Sequence, residues 1–421
     1  MRRLKFPTFS ALALAAISIL LPITARPALA VTETVLYNFI GGIYGGLPTA
    51  HLTSDGAGNF YGTTWAGGSF SGGTVFELSP NGNSWNEKVL YNFCSAPNCS
   101  DGANPRSYVI IDKTGNIYGT TYYGGAPGCF GTCGVVFELS PEGGNWTESV
   151  LYTFPTGGVE GFSPTNGLIM DQTGNLYGTT RCGGGGPEAS GCGVGAGTVF
   201  QLSFSGGTWT HQIIYAPGSS TGDGIWAGLT MDSAGNIFGA TDSAAFELSP
   251  DGKGGWTPKV LHTFAGSPKD GLNADGTPVL DKAGNIYGTT ETGGARNYGT
   301  VYRLTPVLTG KKKGTWTEKI LYSFKGSKRD GKYPLDGISF DSAGNIYGTT
   351  YLDGKGGNGI VFELVAPVGK ASYKEKVLWI FNTTDGEFPY GGVILDDADN
   401  LYGTTYQGGA NGAGVVFELT P

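Results

Sequence analysis

Short apolar runs separated by turn residues recur along this chain every roughly 50–60 residues, a self-similarity that signals a repeat architecture. The clearest copy is Asp341-Ser342-Ala343-Gly344-Asn345-Ile346-Tyr347-Gly348-Thr349-Thr350. Other copies begin at Asp55, Asp112, Asp171, Asp232, Asp281 and Asp396. Before each lies a short, almost wholly apolar run such as Leu168-Ile169-Met170, predicted as an inner strand A that is buried on both faces. Asp-x-x-Gly-Asn is turn chemistry, because Asp caps its own backbone and Gly takes φ > 0 cheaply. The β-formers after the turn predict strand B. A Gly-rich loop leads to Val-Phe-Glu-Leu, strand C, and a Pro turn with a Trp leads to Val-Leu-Tyr-x-Phe, strand D. The alternation in strand D suits a half-exposed outer strand. Glycine in mid-strand B, present in every copy, implies a close approach from a neighbouring blade.

Seven units of four short antiparallel strands predict an all-β, seven-bladed β-propeller. The split units at the termini predict how it closes. Val35 to Phe39 is a strand D without a unit, and Val415 to Leu419 is a strand C with no D after it. Pairing them closes the ring and leaves no free sheet edge. Residues 31–421 therefore read as one domain, expected to be monomeric.

Residues 1–30 read differently. Arg2, Arg3 and Lys5 precede the apolar run Ala11 to Leu21, and Ala28-Leu29-Ala30 offers a small-x-small cleavage site, the layout of a signal peptide cut near Ala30. A secreted, periplasmic or cell-surface protein is expected, with no membrane span after cleavage. Cleavage leaves 22 Lys and Arg against 34 Asp and Glu, a net charge of −12. So acidic a protein is a poor partner for nucleic acid or an anionic membrane. Cysteines in an exported chain favour disulfides, and local spacing predicts the pairs Cys94/Cys99, Cys129/Cys133 and Cys182/Cys192. Zinc held by these cysteines is the alternative.

Because strands alternate in direction, the B–C and D–A loops share one face of the ring. Two residue sets meet there. One is the series of acids opening the D–A loops, Asp101, Glu160, Asp223, Asp270, Asp330 and Asp385. Repeated Asp-Gly turns account for these without a ligand, and a calcium site would need several oxygens to converge. The other set follows the Thr-Thr pair and breaks the symmetry: Trp65, Tyr122, Arg181, Asp242, Glu291, Tyr351 and Tyr406. An aromatic arc facing a charged arc suits the stacking of sugar rings and hydrogen bonding of their hydroxyls. The plainer reading is of ordinary loop residues over the blade ends. His51 stands where most units carry Gly, and with Arg181 and Glu291 it is the weak catalytic candidate. No motif for a nucleophile elbow, a metalloprotease helix or a phosphate loop occurs.

The Gly-Asn-Ile/Leu-Tyr-Gly-Thr-Thr core, the Gly-Gly loop and the Val-Phe-Glu-Leu strand resemble the GloVer-type tandem repeat of exported bacterial choice-of-anchor proteins. The resemblance covers essentially all of residues 31–421 and implies a secreted repeat protein without assigned catalytic residues. The Asp-x-x-Gly-Asn-x-Tyr turn is more distantly similar to NHL-like, lyase and lactonase propellers. Two functions follow as expectations. One is a module that binds a carbohydrate or an extracellular protein partner, either without a cofactor or with calcium. The other is a hydrolase or lyase directed at a glycan or lactone.

Overall fold

The computed structural model describes residues 31–127, 133–156, 159–185, 195–217, 224–369 and 371–421. Residues 1–30, with the expected signal peptide, lie outside them, as do Cys129, Cys192 and Asp223. Seven four-stranded antiparallel sheets form the blades of a propeller. In blade 1 the strands are Thr53–Ser54 (A), Phe60–Thr64 (B), Thr74–Asn81 (C) and Ser84–Asn92 (D). Strands B and D of the following blades are Ile117–Thr121 and Asn145–Thr153, Leu176–Cys182 and Thr208–Tyr215, and Ile237–Ala240 and Trp256–Thr263 in blades 2 to 4. They are Ile286–Thr290 and Trp316–Ser323, then Ile346–Thr350 and Lys374–Ile380, in blades 5 and 6. Blade 7 takes its strand D from the other end of the chain, with Thr32–Asn38 pairing antiparallel to Val415–Thr420. Among the described residues, no helix is long and apolar enough to cross a membrane.

The repeated residues are explained by the fold. In the A–B turn of blade 1, Asp55 Oδ1 accepts from the amides of Ala57 and Asn59 (2.7 and 3.1 Å) while Asn59 Nδ2 donates to Oδ2 (2.7 Å). The strand-B tyrosine completes this cluster in other blades, as where Tyr402 OH donates to Asp396 and Glu418 (3.1 and 3.0 Å). The first Thr of each Thr-Thr pair reaches the inner segment of the next blade: Thr63 donates to Ser107 O, Thr289 to Asp336 O and Thr404 to Ala50 O. The phenylalanine ending strand D packs edge-on against the strand-C phenylalanine of the next blade, as in Phe39–Phe76, Phe93–Phe137 and Phe381–Phe417. The core is therefore a set of layers between blades, five of the seven sealed by such a pair.

Three expectations need correcting. The close approach to the strand-B glycine comes from the same blade: a Cβ on Gly62 would lie 2.6 Å from Phe76 Cζ, its cross-strand partner. The neighbouring blade acts through that ring, which it packs against. Strand A is only two residues long and half-buried, because its first residue turns to the channel; Thr230, Val279, Ser339 and Ile394 line a cavity there. The fully buried residue is the one before it, such as Leu52 or Val109. Strand D does not simply alternate, because a bulge leaves Leu90 unpaired between Tyr91 and Val89 and turns it inward.

Candidate functional site

The channel mouth is built by the D–A loops folding back over the ends of strand B. The residue after the Thr pair is held to that loop by its own amide: Trp65 N donates to Leu47 O, Glu291 N to Asn273 O and Tyr406 N to Phe388 O. This positions the seven variable residues along the rim. A cavity of about 320 Å³ opens at the channel mouth, with Asp242, Glu291 and Tyr351 in its lining. Tyr406 stands one ring outward, 5.2 Å from Tyr390. Arg181 stacks over Trp226 (4.2 Å to the ring centre) and donates through Nη1 to Tyr122 OH at 3.0 Å. Trp65 packs against Tyr122 at 5.9 Å. Tyr122 is buried, so its ring is a support rather than an open stacking face.

Most of the cavity wall comes from residues that sequence reasoning passed over. They occupy one position in the D–A loop: Thr49, Arg106, Thr165, Trp226, Asp275, Leu335 and Tyr390. Five of these directly follow a proline (Pro48, Pro105, Pro164, Pro334, Pro389), a signal present in the sequence. The proline fixes the turn, and the repeat leaves the next residue free to vary.

Electrostatics concentrate on one side. Burial, then the charges of Asp242 and Glu291, push the Asp275 carboxyl well above its ordinary range, with Arg106 opposing. Its Oδ1 is buried without an N–H or hydroxyl partner, and the carboxyl meets that of Glu291. Burial and its acidic neighbours thus favour the protonated form of Asp275 next to the Glu291 side chain. On the other side, Tyr390 lies 4.8 Å from Tyr351, with the Arg106 guanidinium 6.0 Å from its ring and 5.0 Å from Trp226.

His51 sits lower in the channel. Its Nδ1 lies 2.9 Å from Asp336 Oδ2 and its ring stacks on Tyr108 at 4.2 Å. It lines a second cavity of about 230 Å³, whereas Glu291 lines the upper one.

The acids opening the D–A loops turn outward to strand D instead of to the channel. Asp101 accepts from Tyr91 OH (2.9 Å), Glu160 from Tyr152 OH (2.6 Å) and Asp330 from Tyr322 OH (2.9 Å). Asp270 faces His262 in the same way, and Asp385 accepts from Asn382 N. Beside four of them stands a glutamate from strand D of the next blade. Burial, with the nearby aspartate, pushes Glu148, Glu318, Glu375 and Glu33 up to about 7. These acids are distributed around the outer rim of the ring, away from the channel cavity. Cys94 and Cys99 form a disulfide, and Cys133 and Cys182 are disulfide-bonded too.

No curated protein matches the sequence. In structure the chain is similar to a streptogramin B lyase, with 13% identity over 93% of this chain and 97% of that one and a TM-score of 0.53. It is similar to a catalytically inactive virginiamycin B lyase from Staphylococcus aureus with quinupristin (14% identity, 93% and 99% covered, TM-score 0.51). A 6-phosphogluconolactonase-like protein from Bacteroides fragilis is similar as well (13% identity, 84% and 87% covered, TM-score 0.50). Likeness at this identity is one of fold. The sequence pattern of the Gloeobacter/Verrucomicrobia repeat matches residues 26–245 and again 240–421. Those matches span all seven blades, and the chain belongs to the Gloeobacter/Verrucomicrobia repeat family.

Proposed function

We propose that the protein is an exported interaction module that binds a carbohydrate at the mouth of its channel. The observation that carries this reading is the composition of the upper cavity. The aromatic rings of Tyr351 and Tyr390 and the polar side chains of Asp242, Asp275, Glu291, Asn166 and Arg106 line one space of about 320 Å³. A sugar ring has one apolar face and a rim of hydroxyls, and such a cavity matches both. The test is a glycan array on tag-free protein, run with and without calcium. Tyr390→Ala should weaken a positive interaction by roughly 1–3 kcal/mol, the scale of a buried aromatic contact. An array without positives, or a Tyr390→Ala protein that binds like the parent, ends the reading.

A second reading, a glycan- or lactone-directed hydrolase or lyase, is favoured by the Asp275 carboxyl, raised by burial, beside Glu291 in one cavity. A proton donor next to an acceptor is what general acid–base chemistry uses. Incubation with the bound glycan separates the two. New reducing ends or unsaturated products, lost in Asp275→Asn, would make the site catalytic.

A further inference from the structure

The junction between blades 4 and 5 differs from the others at two places. At the inner end, Ala240 stands where the other blades carry the threonine that donates to the next blade, so this bridge is missing. At the outer rim, His262 stands where blades 1, 2 and 5 carry Tyr91, Tyr152 and Tyr322. A phenol there donates a proton to the loop acid. An imidazole offers a nitrogen lone pair instead.

Three segments meet at this outer point. His262 lies on strand D of blade 4, Asp270 opens the following loop, and Glu318 lies on strand D of blade 5. His262 Nε2 is 3.0 Å from Asp270 Oδ2, and donor atoms of all three residues lie within 4.8 Å of one another. Ligands about 2.0 Å from a tetrahedral zinc ion are ~3.3 Å apart, so a modest turn of the Glu318 carboxylate closes the set. Glu318 Oε1 is buried without a hydrogen-bond partner. Asp270 is already oriented by the amides of Ala265 (2.9 Å, to Oδ2) and Gly271 (2.7 Å, to Oδ1), the kind of outer support that metal ligands have. Neutral imidazole with two carboxylates balances a divalent charge. Among the described residues, no second group of three such side chains comes together in this way. The equivalent grooves, with Tyr91–Asp101–Glu148 or Tyr322–Asp330–Glu375, have the acids but lack the nitrogen.

We propose that His262, Asp270 and Glu318 form a zinc-binding clip that ties blade 4 to blade 5. The fourth ligand is water, since the His262 and Asp270 side chains remain partly exposed (22 and 13%). The clip fastens the junction whose inner threonine bridge is absent, so its role is structural, and it stands apart from the channel cavity.

Tag-free, chelator-treated protein titrated with zinc should bind one equivalent and gain several degrees in Tm. Cobalt should give the visible absorption of a tetrahedral site. His262→Tyr places in this groove the residue that five other blades carry (Tyr37, Tyr91, Tyr152, Tyr215 and Tyr322), so folding is retained. Glu318→Gln preserves the shape. Both should lower zinc affinity by roughly 100-fold and abolish the Tm gain, as expected when one of so few protein ligands is lost. Wild-type protein that neither binds zinc nor changes its Tm overturns the proposal, and so does wild-type affinity in either variant.

Discussion

Asp336 of blade 6 and His51 of blade 1 meet at 2.9 Å although 285 residues separate them in sequence. Asp336 also accepts from Gly392 N of blade 7 at 2.9 Å and from Gly337 N at 2.7 Å, so one carboxylate ties three blades together inside the ring. Burial raises its pKa, but His51 and the two amides outweigh it and hold the carboxyl below its ordinary value. Asp336→Ala should destabilise the fold by about 2–3 kcal/mol, the scale of hydrogen bonds to a charged group. Denaturant unfolding measures this, and an unchanged midpoint would show that closure does not depend on the pair.

Tyr302 replaces phenylalanine on strand C of blade 5, and its hydroxyl is buried with no partner. Packing a polar group without a hydrogen bond costs stability. Tyr302→Phe should therefore raise Tm or leave it unchanged while keeping the edge contact with Phe264. A clear loss of stability would reveal a partner for the hydroxyl.

Closing blade 7 with Thr32–Asn38 predicts a large effect of removing residues 31–40. The deletion exposes the edge of Val415–Thr420 and removes Phe39, which is fully buried. Tm should fall sharply, and aggregation should follow from the open edge. A truncated protein that melts like the intact one would count against strand closure as the main fastening.

Stability should pass through an acid maximum. Burial raises Glu33, Glu87, Glu148, Glu318 and Glu375 from 4.5 to about 7. Between pH 4.5 and 7 the folded state thus binds more protons than the unfolded chain, and stability falls as pH rises through that window. His211, lowered by burial against the raising effect of Glu160, opposes this below pH 6.5 as a single group. At the A–B turns, burial raises Asp55, Asp112, Asp171, Asp281 and Asp396, but their Asn and backbone hydrogen bonds prevail and lower them below 3.8. Their contribution is complete above pH 3.8 and lost below it. Melting curves from pH 3 to 8 should show the highest Tm near pH 5, and Glu148→Gln with Glu375→Gln should flatten the upper slope. A Tm that rises steadily to pH 8 would contradict the buried glutamates.

The number of blades, the turn chemistry and the terminal closure are legible in the chain alone. Each rests on local signals repeated unit after unit: an Asp-x-x-Gly-Asn turn, in which only Asp399 replaces the Gly, and short apolar runs between turns. The sequence also distinguished fold residues from variable ones, which placed Asp242, Glu291 and Tyr351 on the rim. Which variable residues share one space follows from the packing of the blades. Arg106, Trp226, Asp275 and Tyr390 lie on four different blades, and their common cavity exists because each D–A loop turns back over its strand B. The pairing of His51 with Asp336 and the gathering of His262, Asp270 and Glu318 likewise depend on how blades sit side by side. Period and propensity describe one unit at a time, while contacts between units follow from the closed ring.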